Sequence, residues 1–293
     1  MARKFILSSL CFLFLSPFSF GSDTVLINQP VSDLDSRSEY PRKLIEAALE
    51  KTRNVYGDYE IKYARKMQWE RSKHMLEEGK LIHVIHAATR LQWEKDLIPI
   101  RIPVMKGLLG NRIFLIRKQS QSRFNDVNTL EELKSLQAGL GHDWSITSIF
   151  KQNGFNIITW SSYEGLFAML DAGRFDYFPR GINEAPVEYQ QRKNKYPNLH
   201  IEESILLNLP LPVYFFVTPK KPKLAQRVEQ GLNLMIEDGS FDILFFKFHK
   251  DMIDSLDISS RKVFKIGNSE LSPKTPLDRK ALWLDLSSKS MVQ

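Results

Sequence analysis

The feature that most constrains this chain is its rhythm: short β-type runs alternate with amphipathic helical runs from Thr24 almost to Asp257. Such alternation builds α/β lobes with largely parallel sheets, because a parallel strand needs a crossover helix to bring the chain back. The series opens with "TVLINQP" as strand, "EYPRKLIEAALEKT" as helix, "YEIKYAR" as strand, "QWERSKHMLEEGK" as helix and "LIHVIHA" as strand. A shorter helix, "RLQWEKDL", leads to the extended "IPIRIPV" and, past "MKGLLGN", to "RIFLIRK". At Gln119 the polar "QSQSRFNDVN" breaks the texture, and a second series follows: helix "TLEELKSL", strand "QAGLG", helix "SITSIFKQNG", strand "NIITW", helix "YEGLFAMLDAG", strand "RFDYFP" and helix "NEAPVEYQQRKNK". Tyr163, Leu166, Phe167 and Leu170 fall at i, i+3, i+4 and i+7, which predicts one face against a sheet, with Gly173 as C-cap.

After "LPVYFFVTP" come two more helices, "KLAQRVEQGLNLMIEDG" and "FDILFFKFHKDMIDSL", the second apolar nearly all round and so expected to be well buried. Two long extended segments, around 112–117 and 211–217, therefore bracket a central block with its own strand and helix series. That pattern predicts one lobe inserted into another and joined to it by two crossing strands. The first lobe is expected to comprise 22–115 and 216–264, the inserted lobe 116–215, and a polar, Pro-containing tail 265–293, pinned by Leu282, Trp283 and Leu284.

The first residues set Arg3 and Lys4 before an apolar run, and Ser19, Phe20 and Gly21 match what a signal peptidase reads, so residues 1–21 are expected to be a cleaved secretory signal. Ser and Pro interrupt that run short of the roughly 20 apolar residues needed to span a bilayer. Cys11, the only cysteine, lies within it, so the mature chain offers no disulfide and no thiolate metal site. The 41 basic and 34 acidic residues become 39 against 34 once Arg3 and Lys4 are removed, and the excess is spread along the chain. A nucleic-acid binder would concentrate its cations on one element, so the charge reads as solubility with a mild bias toward anionic partners.

With a signal, inserted lobes and twin crossing strands, the chain resembles the type II periplasmic solute-binding proteins, in particular the extracellular family-3 group that includes the amino-acid-binding components of ABC importers. The resemblance spans about Thr24 to Asp257 and rests on the order of "EYPRKLIEAALE", "GKLIHVIHAATRLQWEKDLIPIRIPV", "LLGNRIFLIRK", "TLEELKSLQAGLGHDWS", "SYEGLFAMLDAGRFDYFPRG" and "VEQGLNLMIEDGSFDILFFK". It implies two lobes that close over a small polar solute and deliver it to a membrane permease, with no cofactor. The amino-acid binders of the group carry a helix-start arginine for the substrate's α-carboxylate. Aligned on "IPV", that position falls at or beside Glu94, so the clamp is absent or displaced to Arg90 or Arg101.

In an open α/β sheet, ligands bind beyond the carboxyl ends of the strands. Arg180, directly after "RFDYFP", is expected to carry its guanidinium into the interlobe cleft as a fork for a carboxylate, phosphate or sulfonate, or else to pair with Glu184 on the surface. The turn "GLGHDWSIT" opens a helix and offers free N–H groups to an anion; Ser145 or Asp143 is either a ligand contact or the N-cap, Trp144 a stacking platform, and His142 a further candidate contact. Thr89 offers a hydroxyl or an N-cap, Arg101 a displaced clamp, and Ser161 a place in the cleft wall. Asp33, Asp35 and Tyr40 could reach the cleft from the first lobe, Asp176 reads as a structural carboxylate, and Tyr214 as packed at the hinge. No Gly-x-Ser-x-Gly elbow, HExxH, P-loop or dinucleotide glycine pattern is present, and His83 and His86 point to opposite faces of a strand.

The expectation is an exported, monomeric, non-enzymatic solute-binding protein for a small polar or anionic solute, without metal or nucleic acid and without stable membrane insertion. Its partner would be an ABC permease or a sensor ectodomain, and amino acid, peptide fragment, sugar acid and polyamine all stay open as ligand. The rival is a dehydratase or lyase on the same scaffold, with Glu94, Asp143 or His142 as acid or base.

Overall fold

The computed structural model describes residues 22–29, 38–65, 67, 69–284 and 286, so the expected signal segment, Asp33 and Asp35 lie outside the described residues. The chain begins with β1 (Asp23–Ile27), α1 (Glu39–Lys51), the single-turn α2 (Arg53–Tyr56), β2 (Tyr59–Tyr63), α3 (Trp69–Glu78), β3 (Val84–Ala88), α4 (Leu91–Asp96) and β4 (Ile98–Ile100). The second series comprises β5 (Asn111–Arg117), α5 (Gln121–Asn125), α6 (Leu130–Ser135), β6 (Ala138–Gly141), α7 (Ser145–Gln152), β7 (Ile157–Trp160), α8 (Tyr163–Asp171), β8 (Tyr177–Gly181), α9 (Ala185–Arg192), β9 (Leu199–Ile201) and β10 (Ile205–Asn208). It ends with β11 (Val213–Val217), α10 (Pro222–Glu237), α11 (Ser240–Ser255) and β12 (Lys262–Lys265).

Two sheets result. The first has the order β2-β1-β3-β11-β4, with β1 parallel to β2 and β3 and with β11 antiparallel to both of its neighbours. The second runs β12-β10-β5-β8-β6-β7, with β9 paired to β5. In it β8, β6 and β7 are mutually parallel, while β5 is antiparallel to β8 and β10. The mixed α/β architecture of two helix-flanked sheets is the one that the alternation predicts.

The long apolar runs at 111–117 and 213–217 are each held within one sheet: β5 belongs to the second and β11 to the first. The chain changes sheets in the short stretches just before them, 101–110 and 209–212. These lie side by side, Leu209 N–H donating to the Gly110 carbonyl at 2.9 Å and Val104 N–H to that of Val213 at 2.9 Å. Strand β12 joins the second sheet, parallel to β10, although its residues fall in the stretch read as first lobe. Arg261 fixes it there through Nη1 bonds to the carbonyls of Glu202 at 2.6 Å and Ile205 at 3.1 Å. The tail then returns over both crossings: Asn268 Nδ2 donates to Pro210 O at 2.9 Å, and Leu284 N–H to Lys106 O at 2.8 Å. Leu282 is buried in the main core, and Lys106 Nζ reaches Asp242 Oδ1 at 2.8 Å and Ala281 O at 2.7 Å.

Helices α1 and α10 cover one face of the first sheet because their apolar stripes meet, Leu44, Ile45, Ala48 and Leu49 of α1 joining Leu224, Val228, Leu232 and Met235 of α10 in one core. Helix α11 packs alongside, and its His249 is wedged between the rings of Tyr40 (4.8 Å) and Phe245 (4.9 Å) with Nε2 buried and unpartnered. Burial pushes the His249 imidazole down to about 4. The folded-state value lies below the unfolded one, so the unfolded chain takes up the proton first. The stabilisation from a neutral His249 is therefore complete above about pH 6.5 and is lost as pH falls toward 4, by roughly 3 kcal/mol. Urea unfolding at pH 7 and pH 4 should show His249→Phe losing less stability on acidification than the parent chain; equal losses would remove His249 as the cause.

Candidate functional site

A cavity of about 150 Å³ lies between the two sheets. Its first-lobe wall comes from α1 and the end of β3, through Pro41, Ala87 and Ala88, together with Arg90 and Trp93. The second-lobe wall comes from the segments that follow β6 and β8, through Asp143 to Ile146 and through Asn183 and Glu184, with Arg112 and Arg180 behind them. The crossings supply the back through Met105, Leu109 and Leu211, joined by Val213 at the start of β11. More than half of the lining residues are apolar, with polar groups at a few fixed places, as in small-molecule sites generally. The carboxyl ends of β3, β6 and β8 converge here, where open α/β sheets bind ligands.

The two walls also touch. Arg90 on the first lobe donates from Nε to Ser145 Oγ at 3.0 Å and from Nη2 to the Asp143 carbonyl of the second, and Ser145 Oγ lies 3.5 Å from Ala88 O. The lobes are therefore drawn together over the cavity.

Of the residues singled out in the sequence, Arg90, Asp143, Trp144, Ser145, Arg180 and Glu184 line the cavity. Arg180 differs from expectation in place, while its pairing with Glu184, the other expectation, occurs in the interior rather than on the surface. It sits inside β8, in register with Ile113 of β5, rather than beyond the strand tip. Its side chain is 2% exposed, and both carboxylates that follow it in the chain turn back onto it. Nε and Nη2 each bond Glu188 at 2.7 Å, and Nη2 lies 2.9 Å from Glu184 Oε1. Burial alone would lower the guanidinium's pKa, but Glu184 and Glu188 overcome that and hold it above its ordinary value. Arg180 thus commits Nε and Nη2 to the two carboxylates while still lining the cavity.

Trp144 covers Arg180, with the guanidinium carbon 4.7 Å from its ring centre, and stacks on Phe178 at 5.8 Å with the planes 16° apart. The strand beneath permits this because position 141 is glycine: a Cβ there would stand 2.3 Å from the indole. Gly141→Ala should push the indole off its seat and cost about 1–3 kcal/mol by overpacking. Thermal unfolding and tryptophan fluorescence check this, and an unchanged emission maximum would count against the seat. Trp144, not Ser145 or Asp143, is the N-cap residue of α7, and no side chain caps that helix, so Ser145 is left to meet Arg90 across the cleft.

The other candidates do not line the cavity. Thr89 is buried and donates to Glu94 Oε1 at 2.6 Å. Arg101 closes on the other oxygen of the same carboxylate, Nε at 3.0 Å and Nη2 at 2.8 Å, so the displaced clamp is itself clamped. His142 is exposed, its Nδ1 3.4 Å from Thr159 Oγ1. Ser161 is exposed, and Ser162 beside it caps α8 by accepting from Gly165 N–H at 3.1 Å. Asp176 is the structural carboxylate expected, receiving Gln137 N–H at 2.8 Å and Arg123 Nη1 at 2.7 Å. Tyr40 points to the hinge, its hydroxyl donating to Val104 O at 3.0 Å, and Tyr214 is fully buried in β11.

Polar lining residues that escaped sequence reading include Ser38 before α1, Arg112 at the start of β5 and Asn183 in the turn after β8. The available signal for Arg112 was a cation set at the mouth of the otherwise apolar "RIFLI".

No family model and no curated protein matches the sequence. Solved structures do. An ancestral arginine-binding protein bound to arginine superposes with a TM-score of 0.57 at 17% identity, over 77% of this chain and 97% of that one. A histidine kinase sensor domain similar to periplasmic binding proteins gives 0.54 at 17%, over 78% and 96%. A structure from the glutathione-import system of Streptococcus mutans, in which GshT works with the cystine ABC importer TcyBC, gives 0.55 at 14%, over 78% and 95%. The fold is that of the two-lobed periplasmic binding proteins. Within that binding-protein fold the cavity described above occupies the gap between the lobes, and among the described residues no helix is long and apolar enough to cross a membrane.

Proposed function

We propose that this chain is an exported solute-binding protein of the family-3 type that captures a small polar solute between its lobes and presents it to an ABC importer. The observation that carries this reading is the cavity itself, walled by strand ends of both sheets and bridged by Arg90 to Ser145. The importer link draws support from the Streptococcus mutans structure, whose protein serves an ABC importer. A sensor-partner role is the second reading, favoured by the likeness to a histidine kinase sensor domain; a pull-down that recovers only a kinase ectodomain would select it.

Binding rather than turnover is the proposed activity. What supports it is that Glu94, one of the three groups read from the sequence as a candidate acid or base, is 4% exposed and tied to Thr89 and Arg101 outside the cavity, and that His142 does not line it either, leaving Asp143 alone of the three at the cavity. Incubation with a cyclohexadienyl acid should leave it unconsumed, and turnover would select the dehydratase reading. Mass spectrometry of solutes co-purifying with the protein tests the main proposal. A true solute at 100 times its Kd should add about 2.7 kcal/mol of stability; a chain indifferent to every small-molecule fraction of its host's extract would contradict it.

A further inference from the structure

We infer that the cleft grips its solute through Arg112 and Asn183, and that this solute is a small neutral molecule with an amide-type group, a carbonyl oxygen beside an N–H, on an apolar body. The inference rests on the solute-binding reading and asks what chemistry the second-lobe wall leaves unmet.

Four buried charges stand in that wall and behind it: Arg112, Arg180 and Glu184, which line the cavity, and Glu188, with side chains 4%, 2%, 5% and 5% exposed. Two guanidinia meet two carboxylates, so the cluster is neutral as built. Both carboxylates are heavily used. Glu188 receives Arg180 twice and the Tyr163 hydroxyl at 2.6 Å. Glu184 receives Gly181 N–H at 2.8 Å and Arg112 Nη1 at 3.1 Å and pairs with Arg180. A carboxylate or phosphate on the solute would bring an uncompensated charge against this dry, balanced cluster, where desolvation is expensive. A neutral dipole carries no such penalty.

The cluster and the turn beside it leave one buried donor and one buried acceptor without a partner. A guanidinium has five N–H donors, and the Nη1 bond to Glu184 is the side-chain hydrogen bond Arg112 makes among the described residues; its Nε is buried without a partner. Asn183 Oδ1 is likewise buried and unpartnered. Buried polar atoms are nearly always satisfied, and of the unpartnered ones these two belong to residues that line the cavity, just beneath its surface. They are also neighbours. Arg112 sits opposite Gly181 in the ladder, and a Cβ on Gly181 would stand 2.6 Å from Asn183 Oδ1 and 3.2 Å from the Glu184 oxygen that Arg112 holds. A donor and an acceptor gathered round one glycine match the C=O and N–H of a single amide, whereas a carboxylate has no N–H for Asn183. Burial pushes Arg112 down to about 10 despite Glu184, which fits a cation still short of acceptors. Pro41, Trp93, Met105, Leu211 and Val213 supply the apolar surround for the rest of the molecule.

Matched pairs test this: nicotinamide against nicotinate and benzamide against benzoate, with inorganic phosphate as a third probe, each titrated calorimetrically into the full chain. At least one amide should bind ten times or more tightly than its acid, and Asn183→Leu, outside the ion cluster, should weaken that amide tenfold or more. Arg112→Lys should do the same, circular dichroism confirming that it folds. An acid binding as well as its amide, phosphate binding, neither amide binding, or an unchanged Asn183→Leu affinity would each overturn the inference. The two readings fail separately. If amides fail while the extract's small-molecule fraction still stabilises the chain, the solute-binding reading stands; if that fraction has no effect, that reading falls too.

Discussion

Replacing Arg180 by methionine is expected to lower the unfolding free energy by roughly 3–5 kcal/mol, the range for removing one partner from a buried ion pair. The methionine fills much of the same volume between Trp144 and Phe178, so lost packing contributes little. What fails is compensation: Glu184 and Glu188 stay buried, with Arg112 reaching only the first of them. Arg180→Met/Glu188→Leu should therefore recover part of the loss, because it removes the stranded carboxylate together with its partner. Urea unfolding of the parent, both singles and the double gives the coupling directly. A loss under about 1 kcal/mol for Arg180→Met would place the guanidinium among weakly coupled surface charges instead.

Gly110→Ala carries the other large effect. The alanine methyl would stand 2.0 Å from the Leu209 carbonyl oxygen and 3.1 Å from Leu211 N, both backbone atoms of the opposite crossing. Neither can swing aside as a side chain would, so the two crossings must part, breaking the 2.9 Å bond from Leu209 N–H to Gly110 O. Overpacking of this kind costs about 3 kcal/mol, the upper end of the usual range. Because Leu109 and Leu211 form the back of the cavity, solute affinity should fall along with the melting temperature. A variant with parental stability and affinity would mean that the crossings are not in contact as described.

Periodicity made the architecture legible, since alternating 2-residue and 3.6-residue patterns report which face of each element is buried. It located α1, α8, α10 and the apolar strands β5 and β11 without ambiguity. It missed β9, β10 and β12, whose runs of three or four residues are too short to show a period. The site was legible in place more than in role. The segments after β6 and β8 do face the cleft, as strand polarity requires. Yet whether Arg180 offers its charge to a ligand depends on Glu184 and Glu188 folding back across the turn, and that closure is tertiary. The same holds for Arg101, which folds back onto Glu94 seven residues before it. Arg112 stood out by charge alone, and Asn183 by nothing.

The central claim is that two lobes close over a solute by movement at the paired crossings. Spin labels on cysteines placed at Leu91 of the first lobe and His142 of the second would measure it, since both side chains are exposed and flank the mouth of the cleft. The chain's one cysteine, Cys11, falls in the expected signal segment, so the labels meet no competing thiol in the processed protein. The account predicts a short, narrow distance distribution when solute is bound and a longer, broader one after it is stripped. One and the same distribution in both states, with solute binding independently verified, would contradict it.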